Sequence, residues 1–232
     1  MPDFVSICLA VVLIISIAKE SRSDSAFSAF DHIVLGAADL KTGVKELEDL
    51  TGVQAEYGGK HPHLGTENAL INLGEHQYLE VLAPVAGAKL DASVSFFSKL
   101  PKLTPVGFGV STPDAESMAQ MLKAGGYTTA APRLGSRLRP DGSKLEWKTF
   151  DIETPQMEMA PFFIEWSATT VHPSKNSPAG CKLVSIELTD PHAAELQKLM
   201  KLLKLSVNVQ SGTPAAMRAT LNCLKGKIVI GE

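Results

Sequence analysis

The 232-residue chain lacks most of the patterns that assign a protein to a common functional class. Lys and Arg are scattered and the formal net charge is −3, so no basic stripe indicates a nucleic-acid partner. There is no P-loop, no dinucleotide-type glycine fingerprint, no serine nucleophile elbow and no paired-cysteine zinc signature. The sequence therefore does not fit the standard templates for nucleotide binding, serine hydrolysis or structural zinc.

Cysteine is scarce, with three in the whole chain. Cys8 falls in an apolar run near the N-terminus, which leaves Cys181 and Cys223 for the folded part. Two cysteines can form one disulfide in an oxidising compartment, but they do not make a disulfide framework. We expect two buried free thiols, since unpaired cysteine packs as a small apolar side chain, with a single disulfide as the alternative.

Long apolar runs are also rare, and the exception is FVSICLAVVLIISIA over residues 4–18. About 15 apolar residues suit the core of a signal peptide better than a membrane-spanning helix, which needs roughly 20. Asp3 precedes the run, while positive charge follows it at Lys19 and Arg22. We predict that residues 1–26 are a secretory signal peptide, and that the protein is secreted or extracytoplasmic. An uncleaved membrane anchor is the alternative, and residues 27–232 form the folded domain.

The chain contains three copies of one predicted pattern, in which a strand is followed by a helix and then by further strands. The openings are FDHIVLGAADL, TPVGFGVSTPDA and KLVSIELTDPHAAELQKLMKLLKL. Each has the alternation of a strand, then an aspartate at a turn, then apolar residues at helical spacing. The spacing predicts modules at about 30–85, 104–167 and 181–231, and hence an internally duplicated α+β fold.

Two strands that read as buried each contain a carboxylate, Glu80 in YLEVLAP and Glu165 in FFIEW. A buried charge is costly unless it is compensated, so both need partners. Successive side chains of a strand point to opposite faces. If the aliphatic faces meet the helices, His32 and Glu80 share the other face. We expect Glu165 on that same inner surface.

Two glycines of VGFGV, Gly107 and Gly109, are assigned to the same inner face by the same alternation. Glycine in a strand leaves space for a ligand or for another backbone to approach closely. The sequence therefore predicts a hollow beside the three polar residues.

The motifs together resemble a known family. FDHIVLGAADL followed by YLEVLAP, then VGFGV and FFIEW, is similar to the glyoxalase-like branch of the vicinal oxygen chelate superfamily. GGKHPHLGTENAL, SRLRPDG before LEW, and FFIEW before HPS carry the same resemblance, which spans 30–230. It implies repeated βαβββ-type modules that form a cupped mixed sheet, with helices on the outer face and a cleft inside.

The resemblance also implies a divalent metal in the cleft, bound by a histidine on the first strand and a glutamate on the last strand of each module. Carried over, the ligands are His32, Glu80 and Glu165, while Gly107 stands where the second histidine is expected. One imidazole and two carboxylates suit Mn, Fe, Zn, Ni or Mg without choosing among them. A structural network without metal is the alternative.

Other polar residues are candidates for the same cleft. His61, in a loop rich in Gly and Pro, can supply a missing ligand or act as a general acid or base. Arg137 and Arg139 can clamp a substrate carboxylate or phosphate, or else pair with the glutamates. Asn68 is assigned to the inner face of its strand and can bind a substrate by hydrogen bonds. His172 is expected only to pack or to cap.

These residues predict a glyoxalase-like small-molecule enzyme with lyase or isomerase chemistry on a compound with adjacent oxygens. A divalent ion, or Arg137 in its place, would polarise an oxygen, and Glu80, Glu165 or His61 would move a proton. A dioxygenase is less favoured, because it needs a second imidazole that only the loop around His61 provides.

A non-catalytic protein of the same fold that binds a small ligand is the alternative function. The absent histidine at Gly107 favours it, since it suggests a lost metal site. The expected partner is in both cases a small molecule and not nucleic acid. A homodimer is left open, and membrane contact is expected only if the N-terminal segment is retained.

Overall fold

The computed structural model describes residues 29–153 and 157–231. The predicted signal peptide or anchor at 1–26 lies outside the described residues, so export stays a prediction. Within the described residues, no helix has the length and apolar character needed to cross a membrane.

The first two modules each follow the order strand, helix and three strands. The first consists of β1 (Ala29–Gly36), α1 (Leu40–Thr51), β2 (Glu56–His61), β3 (Thr66–Gly74) and β4 (Gln77–Pro84). The second consists of β5 (Thr104–Ser111), α2 (Ala115–Ala124), β6 (Arg133–Leu138), β7 (Lys144–Asp151) and β8 (Phe162–Trp166). A 3₁₀ helix over Ala92–Lys99 connects them, and a short one over Pro173–Lys175 follows β8.

These two modules share one eight-stranded sheet in the order β2-β3-β4-β1-β5-β8-β7-β6. β4 lies parallel to β1, and β8 lies parallel to β5. Arg137 of β6 donates a hydrogen bond from Nη1 to the carbonyl oxygen of Gly58 in β2, so the two ends of the sheet meet. The predicted α+β fold with a cupped mixed sheet is confirmed.

The two modules are related by an approximate two-fold symmetry at the centre of the sheet. β1 and β5 are antiparallel, with His32 opposite Gly109 and Val34 opposite Gly107. β1 and β5 have the same length, and His32 and Gly107 are each the fourth residue of their strand. His32 and Gly107 are therefore equivalent positions, as the sequence resemblance implies.

The aspartates at two of the three predicted turns fix the starts of their helices, whereas the third helix has no side-chain cap. Asp39 accepts a hydrogen bond from the backbone N–H of Thr42 (2.8 Å), and Asp114 accepts one from Ser117 (3.0 Å). Such caps satisfy N–H groups that the first helical turn leaves unpaired. The aliphatic faces of the strands then pack against these helices in one core, which includes Ile33, Leu47, Phe108 and Met118.

The third module has the same element order but a different strand pairing. It comprises β9 (Cys181–Asp190), α3 (Ala193–Leu202), β10 (Asn208–Ser211), β11 (Ala216–Cys223) and β12 (Gly226–Ile230). Its sheet is separate, in the order β10-β9-β11-β12. The first strand pairs in parallel with the second strand of its module, whereas β1 and β5 pair with the last. Its apolar residues join the same core.

Cys181 and Cys223 form a disulfide. The expectation of two free thiols is therefore wrong, and the alternative of a single disulfide is correct. The two residues lie directly opposite each other in the β9–β11 ladder, a register that sequence spacing does not reveal.

Candidate active-site cavity

The inner face of the curled sheet lines a cavity of about 690 Å³. Pockets for small organic ligands commonly measure about 300–1,000 Å³. Five of the predicted site residues line this cavity together: His32, His61, Asn68, Glu80 and Arg137. These five come from β1, β2, β3, β4 and β6, so strands that are distant in the chain build one polar region.

Glu80 lies at the centre of that region and is 7% exposed. Asn68 Nδ2 donates a hydrogen bond to Glu80 Oε1 (2.5 Å). His32 Nε2 lies 3.7 Å from Glu80 Oε2, and His61 Nε2 lies 4.0 Å from Oε1. Among the described residues, no Lys or Arg forms an ion pair with this carboxylate. Glu80 is therefore placed between two imidazoles, with one amide donor as its direct hydrogen-bond partner.

A second buried carboxylate, Asp31, lies behind His32 and is 1% exposed. It accepts hydrogen bonds from His32 Nδ1 (2.6 Å), Trp166 Nε1 (3.0 Å) and His172 Nε2 (3.2 Å). Burial raises the pKa of Asp31, but the hydrogen bonds from His172 and His32 outweigh it and bring the pKa to about 2. The ionised carboxylate keeps the proton of His32 on Nδ1, so the lone pair on Nε2 faces the cavity.

Sequence alternation missed Asp31, because adjacent residues of a regular strand point to opposite faces. The β1–β5 pairing shifts register between Phe30 and His32, and Asp31 is the residue that the ladder skips. A bulge of this kind re-aims a side chain. His172 caps the short 3₁₀ helix, accepting from the N–H of Ser174, which confirms its predicted role as a cap. Its bond to Asp31 was not expected.

His61 is a neutral imidazole in this setting. Burial lowers its pKa to about 4, although the charge of Glu80 opposes the shift. Nδ1 lies 3.3 Å from Thr66 Oγ1, and the ring meets Trp147 edge-on. An uncharged imidazole beside a carboxylate can accept a proton or coordinate a cation.

Arg137 is 5% exposed, and it bonds the carbonyl of Gly58. Burial lowers its pKa, and the nearby charge of Glu80 opposes the shift. Among the described residues, no carboxylate forms an ion pair with it. Arg139, predicted as a second substrate ligand, lies outside the main cavity and donates from Nη2 to the carbonyl of Val171 (2.7 Å). Strand alternation would place Arg139 on the same face as Arg137, two residues earlier. β6 ends at Leu138, however, so the alternation does not extend to Arg139.

The two glycines of β5 have different roles. A Cβ on Gly107 would meet no atom within 4 Å, so the cavity is open at this position. A Cβ on Gly109 would lie 2.8 Å from His32 Cε1. The predicted hollow is therefore present at Gly107, whereas the space beside Gly109 is filled by the His32 ring.

The predicted position of Glu165 in the hollow is wrong. Its Oε2 accepts a hydrogen bond from the N–H of Ala115 at the start of α2 (2.8 Å), on the helix side of the sheet. The residues of β8 that line the cavity are Phe162, Ile164 and Trp166. Alternation was applied correctly along the strand, but the wrong face was taken as the inner one.

The two-fold relation shows which residue corresponds to Glu80. Glu80 lies opposite Val34 in the β4–β1 ladder, and Phe162 lies opposite Gly109, the equivalent of Val34, in the β8–β5 ladder. Phe162 therefore occupies the position of Glu80 in the second module. Glu165 follows three residues later, and an odd number of steps places a side chain on the opposite face.

Comparison with known proteins agrees with this architecture. A family model described as a glyoxalase-like domain matches residues 30–203. The chain belongs to this family. The resemblance drawn from the sequence motifs is thus confirmed. No curated protein matches the chain in sequence.

Solved structures that are similar to this chain include a hypothetical protein from Staphylococcus aureus. It shares 17% identity, over 88% of this chain and 85% of that one, with a TM-score of 0.61. A methylmalonyl-CoA epimerase from Streptomyces coelicolor shares 17% identity, over 63% and 99%, with a TM-score of 0.47. The epimerase from Mycobacterium tuberculosis shares 16%, over 62% and 91%, with a TM-score of 0.46. These likenesses concern the fold alone.

Glyoxalase-like proteins of this superfamily typically use a divalent metal, and the cavity can be tested for its fit. A cation about 2.0–2.2 Å from each ligand atom can join two atoms up to about 4.2 Å apart. The 3.7 Å between His32 Nε2 and Glu80 Oε2 satisfies this limit. A ligating histidine usually donates its other ring N–H to a carboxylate, as His32 does to Asp31. His32 and Glu80 therefore fit a metal, with His61 beside them.

A separate group of acids in this glyoxalase-like chain could also hold an ion. Ligand atoms of Asp114, Glu116 and Glu165 lie within 4.8 Å of one another at the start of α2. Asp114 and Glu116 are exposed, and Lys148 Nζ lies 3.0 Å from Glu116 and 3.5 Å from Glu165. The lysine already offsets part of the negative charge. Only Glu165 is shared with the metal ligands predicted from the sequence.

Proposed function

We propose that the protein is a small-molecule enzyme of the lyase or isomerase type, in which Glu80 transfers a proton at a carbon next to an oxygen-bearing group. The observation that carries this proposal is the position of Glu80, buried in a large cavity between His32 and His61. A carboxylate that is withdrawn from water and held in place is suited to act as a general base.

The neighbouring residues have distinct roles in this proposal. Asn68 holds one oxygen of Glu80 by its hydrogen bond, which leaves Oε2 towards His32. Burial lowers the pKa of His61 to about 4, so the ring is uncharged and weakly basic, and its role is to form a hydrogen bond with the substrate. Arg137 can stabilise the negative charge that develops on a substrate oxygen when the neighbouring carbon loses its proton.

A divalent metal is part of the proposal as a cofactor whose identity is open. His32 and Glu80 would hold it, with the other coordination positions open to water or substrate. When bound, such an ion supplies Lewis-acid polarisation of a substrate oxygen. The nitrogen and oxygen donors do not distinguish Mn, Fe, Zn, Ni or Mg.

A second candidate function, a binding protein without catalysis, is favoured by a specific observation. The second module has Gly107 and Phe162 at the positions equivalent to His32 and Glu80. It therefore supplies no ligand atoms at those positions. A cavity with a polar half and an apolar half could retain a small molecule without reacting with it.

Proton transfer is tested by deuterium exchange. We expect the full-length protein in D₂O to exchange the C–H protons next to the carbonyl of small 2-oxo acids, followed by ¹H NMR. Glu80→Gln removes the base and should slow exchange by on the order of 100-fold or more. Glu165→Gln is the matched control, because the same residue type lies in the corresponding strand but outside the cavity.

Equal exchange rates in the wild type and Glu80→Gln would contradict the proposed base. Saturable binding without exchange, unaffected by Glu80→Gln, would favour the binding protein. Metal content is measured on the same samples by mass spectrometry after dialysis against Mn²⁺ or Zn²⁺. His32→Ala should lose the bound ion, and Arg139→Gln, which lies outside the cavity, should keep it.

A further inference from the structure

The cavity has a polar end and an apolar end. The polar end consists of the residues around Glu80 and Arg137. The apolar end is formed by a separate cluster of buried side chains, Val34, Leu82, Val94 and Phe97, against which Val106 and Phe162 pack. The 3₁₀ helix over Ala92–Lys99 contributes to this wall, and its Phe96 lines the cavity while 46% exposed. A ligand that fills both ends must itself have a polar head and an apolar tail.

The guanidinium of Arg137 has no carboxylate in direct contact among the described residues. Arg137 is buried, and a guanidinium has five N–H donors. Among the described residues, one of them donates a hydrogen bond, to the carbonyl of Gly58. A buried charge is costly unless it is paired. The guanidinium therefore points to a negatively charged ligand group.

The charges at the polar end limit that group to one negative charge. The carboxylate of Glu80 lies close enough to Arg137 to interact with it electrostatically, so it offsets part of the guanidinium charge. Arg133, the other arginine lining the cavity, already pairs with Asp151 (3.1 Å). A dianion such as a phosphate monoester would meet one unpaired guanidinium and the repulsion of Glu80. A carboxylate matches the guanidinium fork in both charge and shape.

The space for the tail is opened by Gly107. No atom lies within 4 Å of where its Cβ would be, and Phe162 forms the wall at the position that Glu80 holds in the other module. The second module has thus exchanged ligand groups for empty volume and an aromatic wall. An aryl group or a short alkyl chain fits this surface.

We infer that the cavity binds a monocarboxylate with an apolar tail, its carboxylate on Arg137 and its tail beside Gly107 and Phe162. This inference rests on the proposed function, since it names the substrate class of the same cavity. It places the carbon between head and tail within reach of the Glu80 carboxylate.

The inference is tested by calorimetric titration of the full-length protein with four unreactive probes: 3-phenylpropionate, propionate, 3-phenylpropanamide and 2-phenylethyl phosphate. We expect 3-phenylpropionate to bind at least about tenfold more tightly than propionate, because burying the ring contributes apolar contact. It should also bind about tenfold more tightly than the amide, because the amide cannot form the charged pair. The phosphate should bind more weakly than the carboxylate.

Two variants assign the ends of the ligand. In Arg137→Gln, the affinity for 3-phenylpropionate should fall to the affinity that the wild type has for the amide. In Gly107→Val, the affinity for 3-phenylpropionate should fall to the wild-type affinity for propionate, and the affinity for propionate itself should not change. Arg139→Gln is the matched control, since this arginine of the same hairpin bonds a backbone carbonyl outside the cavity, and it should bind like the wild type. If Arg137→Gln does not fold, Arg137→Lys keeps the charge and should keep the preference for acid over amide.

Equal affinity for the acid and the amide in the wild-type protein overturns the inference, and this comparison needs no variant. Tighter binding of the phosphate, or full affinity for 3-phenylpropionate in Arg137→Gln, overturns it as well. Failure of the proposed function looks different. If the probes bind with these preferences but no deuterium exchange occurs, the ligand class is supported and the catalytic proposal is contradicted. Exchange without a preference for carboxylates leaves catalysis intact and removes the ligand class.

Discussion

Glu80 and Glu165 lie in strands of similar sequence, yet one faces the cavity and the other faces a helix. Glu80 is buried between His32 and His61, whereas Glu165 is half-buried and bonds the first N–H of α2. The difference follows from ladder register, since Phe162 and not Glu165 is the partner of Glu80 across the two-fold axis. A similar sequence motif therefore does not show which face of the sheet its glutamate occupies unless the strand register is known.

The two modules as a whole differ in the same way. The first presents His32 and Glu80 to the cavity, and the second presents Gly107 and Phe162 at the equivalent positions. A duplicated sheet can thus have a polar half and an apolar half without any change of backbone architecture. Substitutions in either module test this difference.

The largest effect is expected when the second module is made like the first. The double change Gly107→His and Phe162→Glu places an imidazole and a carboxylate where the two-fold relation predicts ligands. We expect divalent-metal affinity to rise on the order of 100-fold, since each protein ligand contributes substantially to the binding free energy. Calorimetric titration with Zn²⁺ or Mn²⁺ measures the change. The control is Gly107→His with Phe162 retained, which should gain less. No gain in the double variant would contradict the proposed equivalence.

A second effect, on the free energy of unfolding, distinguishes the two glycines. Gly109→Val would push a side chain into the His32 ring and should lower the free energy of unfolding by about 3 kcal/mol, the upper end for overpacking. Gly107→Val points into open space and should change it by less than about 0.5 kcal/mol. Urea unfolding of both variants measures the difference. Equal destabilisation would show that Gly107 is not open to the cavity.

The smallest effect concerns the carboxylate behind His32. The pKa of Asp31 is lowered from 3.8 to about 2, so its stabilisation is present above about pH 4 and is lost as the pH falls towards 2. A shift of this size corresponds to about 2 kcal/mol. The difference in unfolding free energy between the wild type and Asp31→Asn should therefore narrow by about that amount between pH 5 and pH 2. Urea unfolding across this range measures it, and a constant difference would contradict the lowered pKa.

Much of the fold and part of the site could be predicted from the sequence, because they depend on local patterns. Alternation placed His32 and Glu80 on one face, and the aspartates marked the helix starts. Arg137 and His61 were identified as candidates from the motif resemblance and their residue types, and Asn68 from its strand position. Five of the seven residues predicted for the cavity line it, and Arg139 and Glu165 do not.

The features that the sequence did not predict depend on pairing between distant strands, which local patterns do not encode. The inward face of β8 is set by its ladder with β5, so Glu165 was misplaced. Asp31 is aimed at His32 by a register shift in β1, and no residue type marks that shift. The disulfide between Cys181 and Cys223 and the different pairing of the third module likewise follow from register.

Arg137 also joins the outermost strands of the eight-stranded sheet, through its bond to Gly58. The side chain proposed to hold the ligand is thus the one that keeps β6 against β2. A ligand that binds Arg137 only in this closed arrangement stabilises the arrangement by the free energy of its own binding. Occupancy and the curvature of the sheet are for this reason thermodynamically coupled, so that the filled protein should resist flattening more than the empty one.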